Sequence, residues 1–143
     1  MTPWIVDASV AMTWYLADEE SREYGQWVLD GLPTREIRLP ALFVYELSNA
    51  LVIAHRRNRI GADALDEILG KLSLFNFVID PATNATSARL AELALRYGLT
   101  CYDAAYLDLG LRTGFPIATL DKALILAMQA ASVELVGPEP KRK

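Results

Sequence analysis

The fold class follows from residues 3–16, which read Pro3-Trp-Ile-Val-Asp7 and then Ala8-Ser-Val-Ala-Met-Thr-Trp-Tyr-Leu16. The first part is a short apolar and β-branched run, which is typical of a buried strand, and the second consists of helix-compatible residues. A strand therefore leads directly into a helix, and Asp7 stands at the junction between them.

Short strands and helices continue to alternate beyond this point. Further strands are predicted over residues 37–39, 77–79, 116–119 and 133–136, and helices over residues 18–32, 41–58, 62–75, 88–97, 102–112 and 121–131. This alternation predicts a short, central and mostly parallel sheet that helices cover on both faces, so the fold class is α/β. We expect residues 1–137 to form one domain and residues 138–143 a polar, basic tail.

Length and composition fit a single globular domain. The chain has 143 residues, of which 52% are hydrophobic, and this composition supports one core and excludes a disordered chain. No apolar run approaches the roughly 18 residues that span a bilayer, and the N-terminal residues lack the segments of a signal peptide. The single cysteine, Cys101, suits a reducing compartment. We therefore expect a cytoplasmic protein without a membrane association.

Several acidic residues stand where the chemistry of such a sheet is concentrated. Asp7 and Asp121 follow predicted strands, and the carboxyl ends of parallel strands share one edge of the sheet. Glu46 belongs to a largely apolar helix, with Asn49 on the same face, and Asp103 lies in the first turn of another helix. A charged carboxylate in an apolar setting is unfavourable unless a cation or a hydrogen-bond donor accompanies it.

Each acid also has a purely structural interpretation. Asp121 can cap the last helix, and Asp103 can complete a capping box with Thr100. Asp7 can serve as a cap or turn residue, and Glu46 can be a helix residue that is exposed through a gap. Taken together, however, four carboxylates without nearby cations would repel one another, and a divalent cation would relieve that repulsion. Oxygen ligands favour Mg²⁺ or Mn²⁺ over zinc, for which the chain offers only His55 and Cys101, far apart in sequence.

The motifs that contain these acids resemble those of the PIN-domain ribonucleases. They are Ile5-Val-Asp-Ala-Ser-Val10, Pro40-Ala-Leu-Phe-Val-Tyr-Glu-Leu-Ser-Asn-Ala-Leu51, Thr100-Cys-Tyr-Asp-Ala-Ala-Tyr-Leu107 and Ala118-Thr-Leu-Asp-Lys-Ala-Leu124. Their order and spacing also match, and the resemblance covers almost the whole chain. Within the family, the compact length looks most like the VapC-type toxins of toxin–antitoxin pairs.

The resemblance implies a single PIN-like domain and a definite chemistry. A VapC-like protein is a Mg²⁺-dependent endoribonuclease, for which Mn²⁺ substitutes, and it is the toxin of a type II toxin–antitoxin pair. Its metal-activated water hydrolyses phosphodiester bonds in structured RNA such as transfer or ribosomal RNA. The positions that match the family's acidic ligands are Asp7, Glu46, Asp103 and Asp121. The positions that match supporting polar residues are Ser9, Asn49 and Thr119.

Partners follow from the same resemblance. A VapC-like protein acts as a homodimer and is held inactive by a cognate VapB-like antitoxin, whose tail enters the acidic groove. A net charge of −4 argues against a protein that binds DNA chiefly through phosphate neutralisation. Arg56, Arg57 and Arg59 have two interpretations, since they can hold RNA phosphates or simply complement the C-terminus of their helix.

Other classes of protein also place an acid after the first strand. A phospho-aspartyl phosphatase would carry a second Asp where this chain has Ser9, and a receiver-type signalling module would carry paired acids after the first strand. Both classes are therefore disfavoured. Two alternatives stay open: a PIN-domain nuclease that serves RNA processing without a toxin role, and a non-catalytic PIN-like interaction module.

Overall fold

A computed structural model of the chain describes residues 1–16 and 19–138. Within these residues the strands are β1 (Trp4–Val6), β2 (Ile37–Pro40), β3 (Phe77–Asp80) and β4 (Ile117–Ala118). The helices are α1 (Ala8–Leu16), α2 (Glu19–Asp30), α3 (Ala41–Arg56), α4 (Ala62–Leu72), α5 (Thr86–Tyr97), α6 (Cys101–Thr113) and α7 (Lys122–Ala131).

The strands form one parallel sheet in the order β3-β2-β1-β4. β1 lies inside the sheet, where Ile5 pairs with Arg38 of β2 on one side and with Ile117 of β4 on the other. Parallel neighbours require a crossover, and helices supply each of these connections. The predicted α/β class with a short parallel sheet is confirmed.

The core lies on both sides of this sheet. Ile5, Ile37, Leu39 and Ile117 are fully buried, as expected for apolar strands covered on both faces by helices. Tyr106 of α6 is among the largest fully buried side chains, and its position becomes important for the acidic residues described below.

The helix boundaries depend on local backbone chemistry. Thr100 caps α6, because its Oγ1 accepts a 3.1 Å hydrogen bond from the N–H of Asp103. Gly114 ends the same helix with a φ of 75°, a left-handed conformation that glycine adopts without strain. The predicted 41–58 helix ends earlier, at Arg56, because Asn58 takes a φ of 59° and cannot continue it.

Two further predictions require correction. Residues 133–136 do not form a strand, because only Leu135 makes a β-bridge, and its partner is Ile117. The N–H of Ile117 donates to the carbonyl of Glu134, and the N–H of Val136 donates to the carbonyl of Ile117. The predicted 62–75 helix ends at Leu72. The predicted helix start at Asp18 and residues 139–143 of the predicted tail lie outside the described residues.

One general property concerns membranes. Among the described residues, no helix combines the length and the hydropathy needed to cross a bilayer.

Candidate functional site

Asp7 lies at the carboxyl end of β1, where the sheet passes into α1. Its backbone N–H donates a 2.9 Å hydrogen bond to Ala118 of β4, and its own carbonyl accepts from the N–H of Val10 at 3.0 Å. The sheet and the first turn of the helix therefore fix this residue. Its side chain is buried, with 5% of its surface exposed.

Two hydroxyl groups hold the Asp7 carboxylate. Ser9 Oγ and Thr119 Oγ1 each donate a 2.8 Å hydrogen bond to Asp7 Oδ2. Oδ1 accepts no hydrogen bond from the described residues. Because every fully buried side-chain oxygen of these residues has a hydrogen-bond partner, Oδ1 is not fully buried. Solvent therefore reaches Oδ1, so a ligand can reach it too.

Burial raises the pKa of Asp7 to about 6, although the hydroxyls of Ser9 and Thr119 act in the opposite direction. The negative charges of Glu46 and Asp121 raise the pKa further. Asp7 is therefore a desolvated acid with like charges nearby, which is a costly arrangement unless a positive charge joins it.

Thr119 links two of the acids. It is fully buried just after β4, and its Oγ1 both donates to Asp7 and accepts a 3.1 Å hydrogen bond from the backbone N–H of Asp121. Because one side chain bonds to both residues, the loop after β4 is held against the end of β1.

Glu46 reaches the same region from α3. The hydroxyl of Tyr106 donates a 2.8 Å hydrogen bond to Glu46 Oε1 and accepts a longer one, at 3.4 Å, from the N–H of Ala8. Burial raises the pKa of Glu46, the Tyr106 hydroxyl lowers it, and the charge of Asp103 raises it again. Tyr106 thus connects α3 and α6 to the residue that follows Asp7.

Asp103 lies in the first turn of α6, where Thr100 caps the helix. Burial raises its pKa to about 6, and the charges of Asp121 and Asp7 add to the effect. The helix N-terminus favours a negative side chain. The hydrogen bond with the Thr100 side chain also lowers the pKa of Asp103, but burial and the like charges have the larger effect.

Asp121 has the structural role that the sequence allowed. It is the N-cap of α7, and its Oδ1 accepts a 2.9 Å hydrogen bond from the N–H of Leu124. Its charge nevertheless raises the pKa of both Asp7 and Asp103. One residue can therefore cap a helix and still contribute its charge to the acidic group.

The structure does not bring Asn49 into this group as it does Ser9 and Thr119. The Asn49 side chain is exposed and makes no hydrogen bond to any described residue. Tyr106, by contrast, was not predicted as a site residue. It stands one helical turn after Asp103, and a buried tyrosine hydroxyl usually requires a hydrogen-bond partner, so spacing and chemistry together could have indicated it.

The four carboxylates, hereafter the acidic cluster, are Asp7, Glu46, Asp103 and Asp121. Like charges within the cluster raise the pKa of Asp7, Glu46 and Asp103, yet none of the four carboxylates forms an ion pair with a described lysine, arginine or histidine. Among the described residues, no three metal-ligating side chains are already grouped as closely as a bound ion would hold them. The hard oxygen donors nevertheless suit Mg²⁺ or Mn²⁺, and their mutual repulsion would fall on binding either ion.

Comparison with known proteins adds family information to this geometry. Residues 4–127 match the family profile described as the PIN domain. The ribonuclease VapC3 of Pyrobaculum aerophilum is 31% identical over 121 residues, which cover 84% of this chain and 90% of the relative.

Solved structures share the fold. VapC20 of Mycobacterium tuberculosis, a toxin that cleaves the sarcin–ricin loop, superimposes with a TM-score of 0.69 at 15% identity, over 94% of this chain and 99% of that one. A chain of a toxin–antitoxin complex from Klebsiella pneumoniae gives a TM-score of 0.57 at 15% identity, over 82% and 85% of the two chains. At these identities the likeness concerns the fold alone.

Proposed function

The chain belongs to the PIN-domain family, and from this premise we propose that it is a metal-dependent endoribonuclease, the toxin of a type II toxin–antitoxin pair. The observation that carries the proposal is the acidic cluster at the carboxyl end of the sheet. Charges within the cluster raise the pKa of Asp7, Glu46 and Asp103, and none of the four carboxylates has a cationic partner among the described residues. The ribonuclease relative supports RNA as the substrate.

The proposed cofactor is Mg²⁺, with Mn²⁺ as a substitute. Asp7, Glu46, Asp103 and Asp121 are the residues that would hold it, because their oxygens are the donors that such ions prefer. A divalent cation held by these carboxylates would supply an acidified water as nucleophile and positive charge to stabilise the transition state.

The remaining work belongs to residues of this chain. Ser9 and Thr119 fix the Asp7 carboxylate through Oδ2 and leave Oδ1 accessible. Tyr106 fixes Glu46 through Oε1, and the N-cap bond orients Asp121. These bonds hold the carboxylates in place before a ligand arrives, which reduces the reorganisation needed to form the site.

Asn49 is exposed, so its proposed role is to contact bound RNA rather than to orient a carboxylate. The proposed substrate is a structured RNA, either a transfer RNA or a ribosomal RNA. The position of cleavage will decide between them.

The proposed partners are an antitoxin and a second copy of this chain. An acidic cluster attracts an arginine or lysine side chain as readily as a metal ion, so an antitoxin segment can block the site by charge. The toxin–antitoxin complex of similar fold is consistent with such a partner. We propose that the protein acts as a homodimer in the cytoplasm.

The direct test is cleavage of total cellular RNA by the purified chain. We expect discrete fragments with Mg²⁺ or Mn²⁺, none with EDTA and none from Asp103→Asn, while Asp66→Asn, an exposed acid of α4, cleaves normally. Cleavage by Asp103→Asn, or its persistence in EDTA, contradicts the proposed site. Cleavage without growth arrest on expression of the chain would assign it to RNA processing, and no cleavage would favour an interaction module.

A further inference from the structure

A cavity of about 570 Å³ adjoins the acidic cluster. Ser9 and Asp121 line it, and Ser9 is the residue that bonds to Asp7. Other parts of its wall come from α1 and α3, including Met12, Leu16 and Ile53. The volume falls in the usual range for small-ligand sites. The cavity is therefore continuous with the proposed catalytic site and offers both polar and apolar surface.

Two arginines line the same cavity. Arg57 and Arg59 lie where α3 ends, in a turn whose backbone is firmly bonded. The N–H of Arg57 donates to Ile53 at 3.0 Å, and that of Arg59 donates to Ala54 at 2.9 Å. Asn58 between them takes a φ of 59°, which ends the helix. The turn thus fixes the point from which both side chains extend.

These arginines differ from the other cations of the structure. Arg38, Lys71, Arg89, Arg96 and Arg112 all form ion pairs with acids. Arg35 lies over the ring of Trp4 at 3.9 Å, and Arg22 and Lys122 also have partners. Among the described lysines and arginines, those without an ion pair, side-chain hydrogen bond or ring contact are Arg56, Arg57 and Arg59.

A role in complementing the helix C-terminus applies to all three residues and does not explain why two of them line the cavity. Arg56, the last residue of α3, is exposed and is not part of its lining. Arg57 and Arg59, whose charges have no partner among the described residues, thus line a cavity that Ser9 and Asp121 also line. A bound polyanion would supply a negatively charged partner for both arginines.

We propose that Arg57 and Arg59 form a phosphate-binding subsite for the RNA strand, on the nucleotides that flank the bond to be cleaved. This inference rests on the proposed function, because it assumes that the acidic cluster acts on RNA. The chain carries a net charge of −4, so a polyanion must be drawn to it by a local group of cations. Guanidinium groups bind phosphate oxygens strongly and in defined directions.

The subsite binds phosphates that do not react, so it contributes equally to the ground state and the transition state. Its loss should therefore raise KM and leave kcat nearly unchanged. The loss should also make the slope of log K against log salt concentration shallower, by about 0.7 for each phosphate contact that is removed on single-stranded RNA. A purely structural role for the arginines would change neither quantity.

The test measures binding of bulk transfer RNA, the probe, in an Asp103→Asn background that leaves the RNA intact. We expect Arg57→Ala with Arg59→Ala to raise Kd roughly tenfold and to lower the salt slope by about 1.4. The double lysine variant, Arg57→Lys with Arg59→Lys, should retain most of the binding, because a point charge still attracts phosphate. Arg56→Ala is the matched control and should change Kd less than about twofold.

The same substitutions in the wild-type background are then tested for cleavage of total cellular RNA. If the wild type cleaves while the double alanine variant binds and cleaves equally well, the subsite is wrong and the nuclease assignment stands. If Arg56→Ala and the double alanine variant lose RNA binding and cleavage equally, general surface charge explains the effect. That result would overturn the subsite. If the wild type neither cleaves nor binds RNA, both proposals fail together.

Discussion

The hydroxyl of Tyr106 donates a 2.8 Å hydrogen bond to Glu46 Oε1, across 60 positions of sequence. The hydroxyl oxygen of Tyr106 also accepts a 3.4 Å hydrogen bond from the backbone N–H of Ala8. A single buried side chain of α6 therefore fixes a carboxylate of α3 next to the start of α1. We infer that Tyr106 is a positioning residue, which acts on the site through Glu46.

Replacing Tyr106 by Phe tests this role, since it removes the hydroxyl and keeps the ring. We expect a loss of stability of about 1–3 kcal/mol, because Glu46 and the N–H of Ala8 lose a partner. We also expect kcat to fall roughly ten- to hundredfold, as is usual when a residue that orients a metal ligand is removed. Urea unfolding and steady-state cleavage measure the two effects.

A shift of the pH profile separates positioning from general destabilisation. The Tyr106 hydroxyl lowers the pKa of Glu46, so its removal should move the acid limb of the pH–rate profile to higher pH. Tyr102→Phe, an exposed tyrosine of the same helix, is the control and should leave the profile in place. An unchanged kcat and pH profile in Tyr106→Phe would show that the bond has only a structural role.

Thr119 gives a second prediction, because its hydroxyl bonds to both Asp7 and Asp121. Thr119→Val keeps the shape of the side chain but removes both bonds, so the pKa of Asp7 should rise above its value of about 6. We expect weaker Mn²⁺ binding and a lower Tm, as measured by calorimetry. Thr119→Ser retains the hydroxyl, and a loss as large as that of the valine variant would contradict this explanation.

The raised pKa values predict how stability depends on pH in the metal-free protein. Asp7 and Asp103 have folded-state pKa values of about 6, above the ordinary value of 3.8. Between these values the folded state binds more protons than the unfolded state, so the stability that these two groups contribute falls as pH rises from about 4 to about 6. Above pH 6 their contribution stays at its lower level.

Asp103→Asn isolates this effect. The variant lacks the buried charge, so its free energy of unfolding in EDTA, relative to the wild type, should increase as pH rises from about 4 to about 7. Urea unfolding at a series of pH values measures the difference. A difference that is constant with pH, or that falls as pH rises, would show that Asp103 does not lie among repelling charges.

Cys101 is an exposed, free cysteine at the start of α6. Cys101→Ser should leave cleavage and its metal dependence unchanged, because carboxylates and not the thiol are the proposed ligands. Steady-state cleavage measures this. A loss of activity in a folded variant would assign the thiol a role that the acidic cluster does not explain.

Strand and helix periodicity made most of the fold predictable. The short strand before Asp7 has β-branched residues, and the helix that carries Glu46 has regular apolar spacing. The local sequence of each element therefore predicts whether it is a strand or a helix. Residues 133–136 have the composition of a strand, but whether such a segment pairs fully depends on its neighbours. Here β4 offers only Ile117 and Ala118, and Leu135 makes one bridge to it.

The candidate site was predictable only in part, because side-chain orientation and long-range bonds do not follow from spacing. Asn49 follows Glu46 by one helical turn, yet it is exposed and outside the hydrogen bonds that join the site. Asp108 is buried like Asp7, but Arg89 and Arg112 bond to it at 3.1 and 2.9 Å. Sequence alone does not separate an acid with such partners from one without them.

Mn²⁺ binding, followed by electron paramagnetic resonance as the ion is titrated into the purified protein at neutral pH, tests the central claim most directly. We predict saturable binding by the wild type, binding at least roughly tenfold weaker in Asp103→Asn, and no change in Asp66→Asn, the exposed control. Equal Mn²⁺ affinity in the wild type and Asp103→Asn, or no binding at all, would contradict the claim that the acidic cluster holds a divalent cation.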